Sequence, residues 1–154
     1  MNKLVLVLLS FALFVACGKK ESSDNDFSKP AGAAADVSSY DPNRGEGKFD
    51  KVDLGAALDQ AMATEGQKVA EVKCTSCHKP TDEKLVGPGW KGVSSRKKPQ
   101  WIMNFITNPD PMINKDPEVQ AQLEICLVRM PNQGLNDTEA RNILEYMRKI
   151  DGIK

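Results

Sequence analysis

The sequence predicts an all-α domain with long irregular loops. Apolar residues recur at helical spacing in several segments, no segment alternates as a strand would, and stretches rich in Pro and Gly separate the helical ones. Basic and acidic residues balance at 21 each, which argues against a nucleic-acid-binding protein. Aromatic residues make up only 6% of the chain, so a large buried cofactor could supply core volume that side chains do not.

Residues 1–16 are expected to be a lipoprotein signal peptide. A short basic start, MNK, precedes an apolar run of twelve residues, which is too short to span a bilayer but suits a secretory signal. Ala16 followed by Cys17 resembles the cleavage site of bacterial lipoproteins, although Phe14 stands where Leu is usual. Cys17 would then be lipidated and would anchor the protein to a membrane on the periplasmic side, outside the cytoplasm. The alternative is an ordinary secretory signal in which Cys17 is incidental.

Residues 17–53 are interpreted as the lipidated Cys and a flexible tether. This segment is rich in Ser, Asp, Lys, Gly and Ala and shows no apolar period. The folded domain is therefore predicted to occupy residues 54–154, with about four helices.

The first two predicted helices span Ala57–Lys73 and Gln100–Thr107. Gly66 lies inside the first of them, where it should cost about 1 kcal/mol relative to Ala, and such a glycine usually has a packing reason. In the second, Trp101 and Phe105 are four residues apart and should stack on one face.

The last two predicted helices carry clear start signals. Asp116 followed by Pro117 is typical of an N-cap and first helical residue, and this helix is expected to end near Arg129. Asn136 and Glu139 have the spacing of a capping box for the final helix. The apolar residues of the final helix recur at helical spacing: Ala140, Ile143, Leu144, Met147 and Ile150.

The stretch KCTSCHKP carries the strongest chemical signal. Cys74, Cys77 and His78 form C-x-x-C-H, the attachment signature of a c-type haem. Two thiols add across the porphyrin vinyl groups, and the adjacent imidazole then lies beneath the iron as an axial ligand. The attachment requires an oxidising compartment, in agreement with the predicted signal peptide.

Three other interpretations of the cluster compete with haem. A thioredoxin-like motif normally belongs to a βαβ pattern, and no strand precedes Cys74. A zinc site could recruit Cys126 as a fourth ligand, but adjacent Cys77 and His78 would have difficulty sharing one small ion. The third is a plain disulfide or a chance match.

His78 is the only histidine, so two histidines cannot coordinate one haem here. Methionine is a common second axial ligand in cytochromes c, and its soft sulfur favours ferrous iron. Met112 and Met130 lie in predicted loops and are candidates for that ligand. The other internal methionines fall in helical patterns and are expected in the core: Met62, Met103 and Met147.

These residues together resemble a class I monohaem cytochrome c over about one hundred residues. In that family a glycine eight residues before the first haem cysteine packs the first helix against the last, and Gly66 holds that place. Ala70 departs from the aromatic that often follows four residues later. Tyr146 matches the family's aromatic on the last helix. The resemblance implies the cytochrome c fold, wrapped round one covalent haem c.

The resemblance also assigns individual residues around the haem. The carbonyl of Pro88 would accept a hydrogen bond from the imidazole of His78, and Met130, just before the last helix, is selected over Met112. Trp90 and Arg96 are expected cofactor-binding residues. Further candidates are less specific: Trp101 as a propionate donor or core residue, Lys97 and Lys98 for propionates or partner docking, and Cys126 as a small buried residue.

The predicted function is electron transfer without bond making, not enzymatic catalysis. With both axial positions filled, electrons would pass through an exposed haem edge between a quinol-oxidising donor and a terminal oxidase or reductase. One alternative is a haem peroxidase or gas sensor with an open sixth position. Another is a zinc-stapled lipoprotein acting as a binding module.

Overall fold

The computed structural model describes residues 39–154, which form six helices and no strand. The prediction of an all-α domain is therefore confirmed. The predicted signal peptide, the lipidation site at Cys17 and the first part of the tether lie outside these residues. Within residues 39–154, none of the helices has the length and apolar character needed to cross a bilayer. The helices are α1 Gln60–Lys73, α2 Val93–Arg96, α3 Pro99–Thr107, α4 Pro109–Lys115, α5 Pro117–Cys126 and α6 Asp137–Ile150.

Helices α1 and α6 pack against each other at Gly66, as the sequence predicts. A Cβ atom at this position would lie 2.0 Å from the backbone oxygen of Asn142 on α6. Ala70, one turn further along α1, is fully buried in the same core, as is Ala140 on α6. Small residues therefore let the two backbones approach closely, which explains why α1 retains a helix-weakening glycine.

The start of α1 and the end of α5 each differ by three residues from the predicted positions. Helix α1 begins at Gln60 because the carboxylate of Asp59 accepts a hydrogen bond from the backbone N–H of Met62, at 2.9 Å. Helix α5 ends at Cys126 because Leu127 adopts a left-handed conformation with φ 58°. The sequence offers no glycine at that point, so the helix end is hard to predict.

The predicted caps of α5 and α6 are confirmed. The Asp116 carboxylate accepts hydrogen bonds from the backbone N–H groups of Glu118 and Val119. Asn136 and Glu139 form a reciprocal capping box at 2.9 and 3.0 Å.

The estimate of about four helices is too low because two short ones were missed. Helix α2 is a single turn inside the Pro- and Gly-rich loop, and Asp151 caps it from the far end of α6. The Asp151 carboxylate accepts hydrogen bonds from the N–H of Gly92 and from the N–H and hydroxyl of Ser94. Helix α4 begins at Pro109, directly after the predicted end of α3, where a proline is equally typical of a helix end and of a first helical residue.

The prediction that the tether continues to residue 53 is wrong for residues 40–53, which pack on the domain. Asn104, fully buried on α3, accepts from the N–H of Phe49 at 2.9 Å and donates to the carbonyls of Arg44 and Phe49 at 3.0 and 2.9 Å. The hydroxyl of Tyr40 donates to Asp116. The segment is held by these polar contacts and by Tyr40, Phe49 and Val52, which pack against the core without a regular apolar spacing. The folded domain begins near Tyr40, not at Leu54.

Candidate haem site

One cavity of about 300 Å³ lies between the loops that follow α1 and the helices α3 and α5. Its wall is mainly apolar, and it gathers all the residues expected to hold a haem. Those wall residues are Cys74, Cys77, His78, Pro88, Trp90, Arg96 and Met130.

Helix α1 delivers the C-x-x-C-H turn to this cavity. The backbone N–H of Cys74 donates to Ala70 and thus closes the helix, and that of His78 donates to the carbonyl of Cys74 at 2.9 Å. The N–H of Gly87 donates to the carbonyl of Cys77 at 2.8 Å, which joins this turn to the following loop. The Sγ atoms of Cys74 and Cys77 are not bonded to each other.

The orientation of the His78 imidazole is fixed from the protein side. Its Nδ1 lies 2.8 Å from the carbonyl oxygen of Pro88. A carbonyl can only accept, so Nδ1 carries the proton and Nε2 is left with a free lone pair. Burial lowers the pKa of His78, which favours the neutral form that binds metals. A Cβ at Gly87 would lie 2.4 Å from the ring, so only glycine lets the loop close on it.

The two tryptophans on the wall have different partners. The ring of Trp90 lies 5.7 Å from that of His78 and meets Tyr146 edge-on at 6.3 Å. Trp101 stacks on Phe105 as predicted, and its indole N–H donates to the carboxylate of Asp116 at 2.9 Å. No described residue accepts a hydrogen bond from the Trp90 indole. Trp90 is therefore the tryptophan that can bind a propionate.

The two candidate methionines occupy separate places. Met130 is half-buried and lines the cavity. Met112 is fully buried in the core, with its side chain close to Gly45, and is not one of the residues that line this cavity. The geometry thus agrees with the preference for Met130. Cys126 also lines the cavity and is half-buried, so it is less buried than expected.

The basic run that begins with Arg96, the last residue of α2, already makes contacts within the protein. Arg96 lines the cavity and donates to the carbonyl of Lys91 at 3.1 Å. The ammonium of Lys97 lies 4.3 Å above the Trp101 ring and pairs with Glu118 at 2.8 Å. Arg96 therefore has donors to spare for a propionate, whereas the charge of Lys97 is already partnered.

Two residues that hold the site were not anticipated. Asp116 fixes Trp101, and Asp151 fixes the segment that carries Arg96. The sequence predicts Asp116 as a helix N-cap, but no sequence feature indicates its hydrogen bond with Trp101. Asp151 directly follows the last helix, where polar residues are common. Its bonds to Gly92 and Ser94 could therefore not be predicted from the sequence.

The donor set fits a covalently bound haem better than a zinc ion. Burial raises the pKa of Cys74 to about 11, although nearby Lys73 acts in the opposite direction. A structural zinc ion needs four ligands. Within residues 39–154, no three His, Cys, Asp or Glu side chains are grouped so as to hold one ion. Two thiols, a neutral imidazole and a thioether around an apolar cavity instead match a c-type haem.

The chain belongs to the cytochrome c family, whose model matches residues 63–151. It is thus an all-α haem electron carrier of the cytochrome c class, with covalently bound haem c as its cofactor.

Solved structures of a bacterial cytochrome c are similar to this chain. Cytochrome c from Rhodothermus marinus is 34% identical with a TM-score of 0.66, over 68% of this chain and 90% of that one. An engineered form of the Rhodothermus protein, bound to a carbene intermediate, is 34% identical with a TM-score of 0.63 over the same shares. No curated protein matches the sequence.

Proposed function

We propose that this cytochrome c is a lipid-anchored carrier on the periplasmic side of a membrane, which passes single electrons between membrane complexes. The observation that carries the proposal is that His78 and Met130 line the same cavity, with the His78 proton held at Nδ1 by Pro88. Two protein ligands on one iron would leave no position for a substrate.

The haem, when bound, supplies an Fe(III)/Fe(II) couple. The protein tunes and shields that couple. Pro88 raises the basicity of the imidazole through its hydrogen bond, which favours the ferric state. The thioether of Met130 favours the ferrous state and raises the potential. Trp90, whose ring lies 5.7 Å from that of His78, would bind a haem propionate through its indole N–H.

A lipid anchor would keep the haem domain close to its partners in the membrane. If Cys17 carries the lipid, the polar segment between it and Tyr40 links the membrane to the folded domain. A linker of that kind keeps the domain at high effective concentration near other proteins of the same membrane. A quinol-oxidising complex as donor and a terminal oxidase or reductase as acceptor suit such an arrangement.

The proposal is tested on the haem-loaded full chain. A pyridine haemochrome assay should give one haem per chain, and a potentiometric titration should give a single reversible one-electron wave. Neither carbon monoxide nor peroxide should bind readily at neutral pH. Rapid binding of either ligand, with a high-spin ferric spectrum, would instead identify a peroxidase or gas sensor with an open sixth position.

A further inference from the structure

Residues 40–53, here called the N-terminal arm, contact each of the three helices α3, α4 and α5. On α3, the buried side chain of Asn104 makes three hydrogen bonds to backbone groups of the arm. On α4, the thioether of Met112 lies against buried Gly45 of the arm, where a Cβ atom would come within 2.8 Å of the sulfur. The contact with α5 comes from the first residue of the arm.

Tyr40 links the arm both to α5 and to the wall of the haem cavity. Its hydroxyl donates to Oδ2 of Asp116, the N-cap residue of α5. The same oxygen accepts the indole N–H of Trp101, which lines the cavity. Oδ1 of Asp116 is thereby left for the backbone N–H groups of the cap. One phenol thus orients a carboxylate that serves a helix end and the cavity wall together.

The position of Met130 depends on α4 and α5. The residues that precede it, 127–129, are exposed. Arg129 donates to the carboxylate of Asp110 on α4 at 2.9 Å. Helix α5 ends at Cys126, only four residues before Met130. A movement of these two helices would therefore carry the methionine with it.

Helices α4 and α5 have few helical neighbours to fix them. They have 7 and 10 residues, which is shorter than helices that are stable in isolation. Helix α5 packs chiefly on α4, whereas the long helices α1 and α6 pack chiefly on each other. The arm therefore adds contacts to a part of the domain that depends on them.

We propose that Tyr40 is a positioning residue for the methionine ligand: through Asp116 it holds α5 and so keeps Met130 within reach of the haem iron. This inference rests on the proposed function, since it takes Met130 as the sixth ligand. Release of Met130 from the iron and loss of the bond from Tyr40 are then coupled. The N-terminal arm thus sets how firmly the iron holds its methionine, in addition to completing the fold.

The test compares Tyr40→Phe with two controls, Lys48→Met and Asp59→Ala, in the haem-loaded full chain. Imidazole added to the ferric protein can bind the iron only after Met130 leaves, so its affinity reports how firmly Met130 is held. Lys48→Met removes the ion pair of the arm with Asp137 on α6 and leaves the contacts with α3, α4 and α5. Asp59→Ala removes the N-cap of α1 and should cost about as much stability as Tyr40→Phe.

Tyr40→Phe should raise the affinity for imidazole about threefold to fivefold, because the bond that opposes release of Met130 is gone. Both controls should change that affinity by less than about 1.5-fold, since neither contact reaches α5. Thermal unfolding should show a similar loss of stability in Tyr40→Phe and Asp59→Ala. If Tyr40→Phe leaves the affinity unchanged, or if Asp59→Ala raises it equally, Tyr40 only stabilises the fold and the proposal is wrong.

The wild-type protein separates failure of this inference from failure of the carrier function. Its rate of imidazole binding should reach a plateau at high imidazole concentration, because release of Met130 then limits the rate. A rate that rises linearly throughout, in a ferric protein without the red-end band of methionine ligation, would show an open sixth position. That result would refute the carrier function and this inference with it, whereas a plateau with equal affinities in all variants would refute this inference alone.

Discussion

The two sides of the haem cavity are held in different ways. On the His78 side, the chain from Cys74 to Trp90 is fixed by backbone hydrogen bonds, by the Pro88 carbonyl and by the close approach of Gly87 to the imidazole. On the Met130 side, residues 127–129 are exposed, and Arg129 is their main side-chain link to the domain. The first side thus presets its ligand, whereas the second is held by fewer contacts.

The largest expected effect comes from the crossing that supports the His78 side. Gly66→Ala should lower the free energy of unfolding by about 2–4 kcal/mol, because the new methyl group would overlap the backbone of Asn142. The loss outweighs the gain of about 1 kcal/mol in helix propensity. Urea unfolding of the haem-loaded chain measures the change in the free energy of unfolding.

Gly55→Ala is the control for that substitution, since its Cβ would meet only the carbonyl of Ala57, at 3.4 Å. It should change stability by less than about 0.5 kcal/mol. Equal stability of the two variants would show that the α1–α6 crossing can open without cost.

The next effect concerns Asp116, which holds the Met130 side through α5. Asp116→Asn should cost about 2 kcal/mol, since it weakens the cap and the bonds from Tyr40 and Trp101. Tyr40→Phe removes one of these bonds only and should cost about 1 kcal/mol. Thermal unfolding near neutral pH measures both, and a larger loss for Tyr40→Phe would contradict the assignment of Asp116 as the shared acceptor.

Asp116 should also contribute to acid sensitivity. Burial alone would raise its pKa, but the hydrogen bonds from Tyr40 and Trp101 hold it below the ordinary value of 3.8. A group whose pKa is lowered on folding stabilises the protein fully above its unfolded pKa and loses that contribution as the pH falls towards the folded value. Stability should therefore fall less steeply below about pH 4 in Asp116→Asn than in wild type. If the stability of Asp116→Asn and of wild type falls with the same slope below about pH 4, Asp116 does not contribute to acid sensitivity.

The smallest expected effect is a gain. Leu127→Gly should raise the free energy of unfolding by up to about 1 kcal/mol, because glycine adopts the left-handed conformation without strain. Chemical denaturation of the haem-loaded chain is the measurement. A loss of stability would mean that the Leu127 side chain packs on the domain, contrary to its exposure.

Much of the His78 side could be predicted from local sequence. Gly66 and the capping box each encode a structure within a few residues, and both were confirmed. The C-x-x-C-H spacing predicts haem attachment, and the three residues line one cavity. Pro88 was located through the family resemblance, and the structure places its carbonyl on Nδ1 of His78.

The rest depends on contacts between distant parts of the chain. The packing of residues 40–53 rests on Asn104, and neither that segment nor Asn104 shows a periodic signal. The partner of the Trp101 indole is Asp116, fifteen residues away, so the sequence could not decide which tryptophan stays available. The bond from Lys84 to the carbonyl of Ile125 joins two loops that are 41 residues apart, and no sequence pattern predicts such a contact.

The central claim is that His78 and Met130 fill both axial positions of the haem. Ferric haem with a methionine ligand shows a weak absorption band at the red end of the visible spectrum. Met130→Ala should abolish that band and admit carbon monoxide to the ferrous form, whereas Met112→Ala should keep the band despite its loss of core packing. A band that survives in Met130→Ala, or that disappears only in Met112→Ala, would contradict the account.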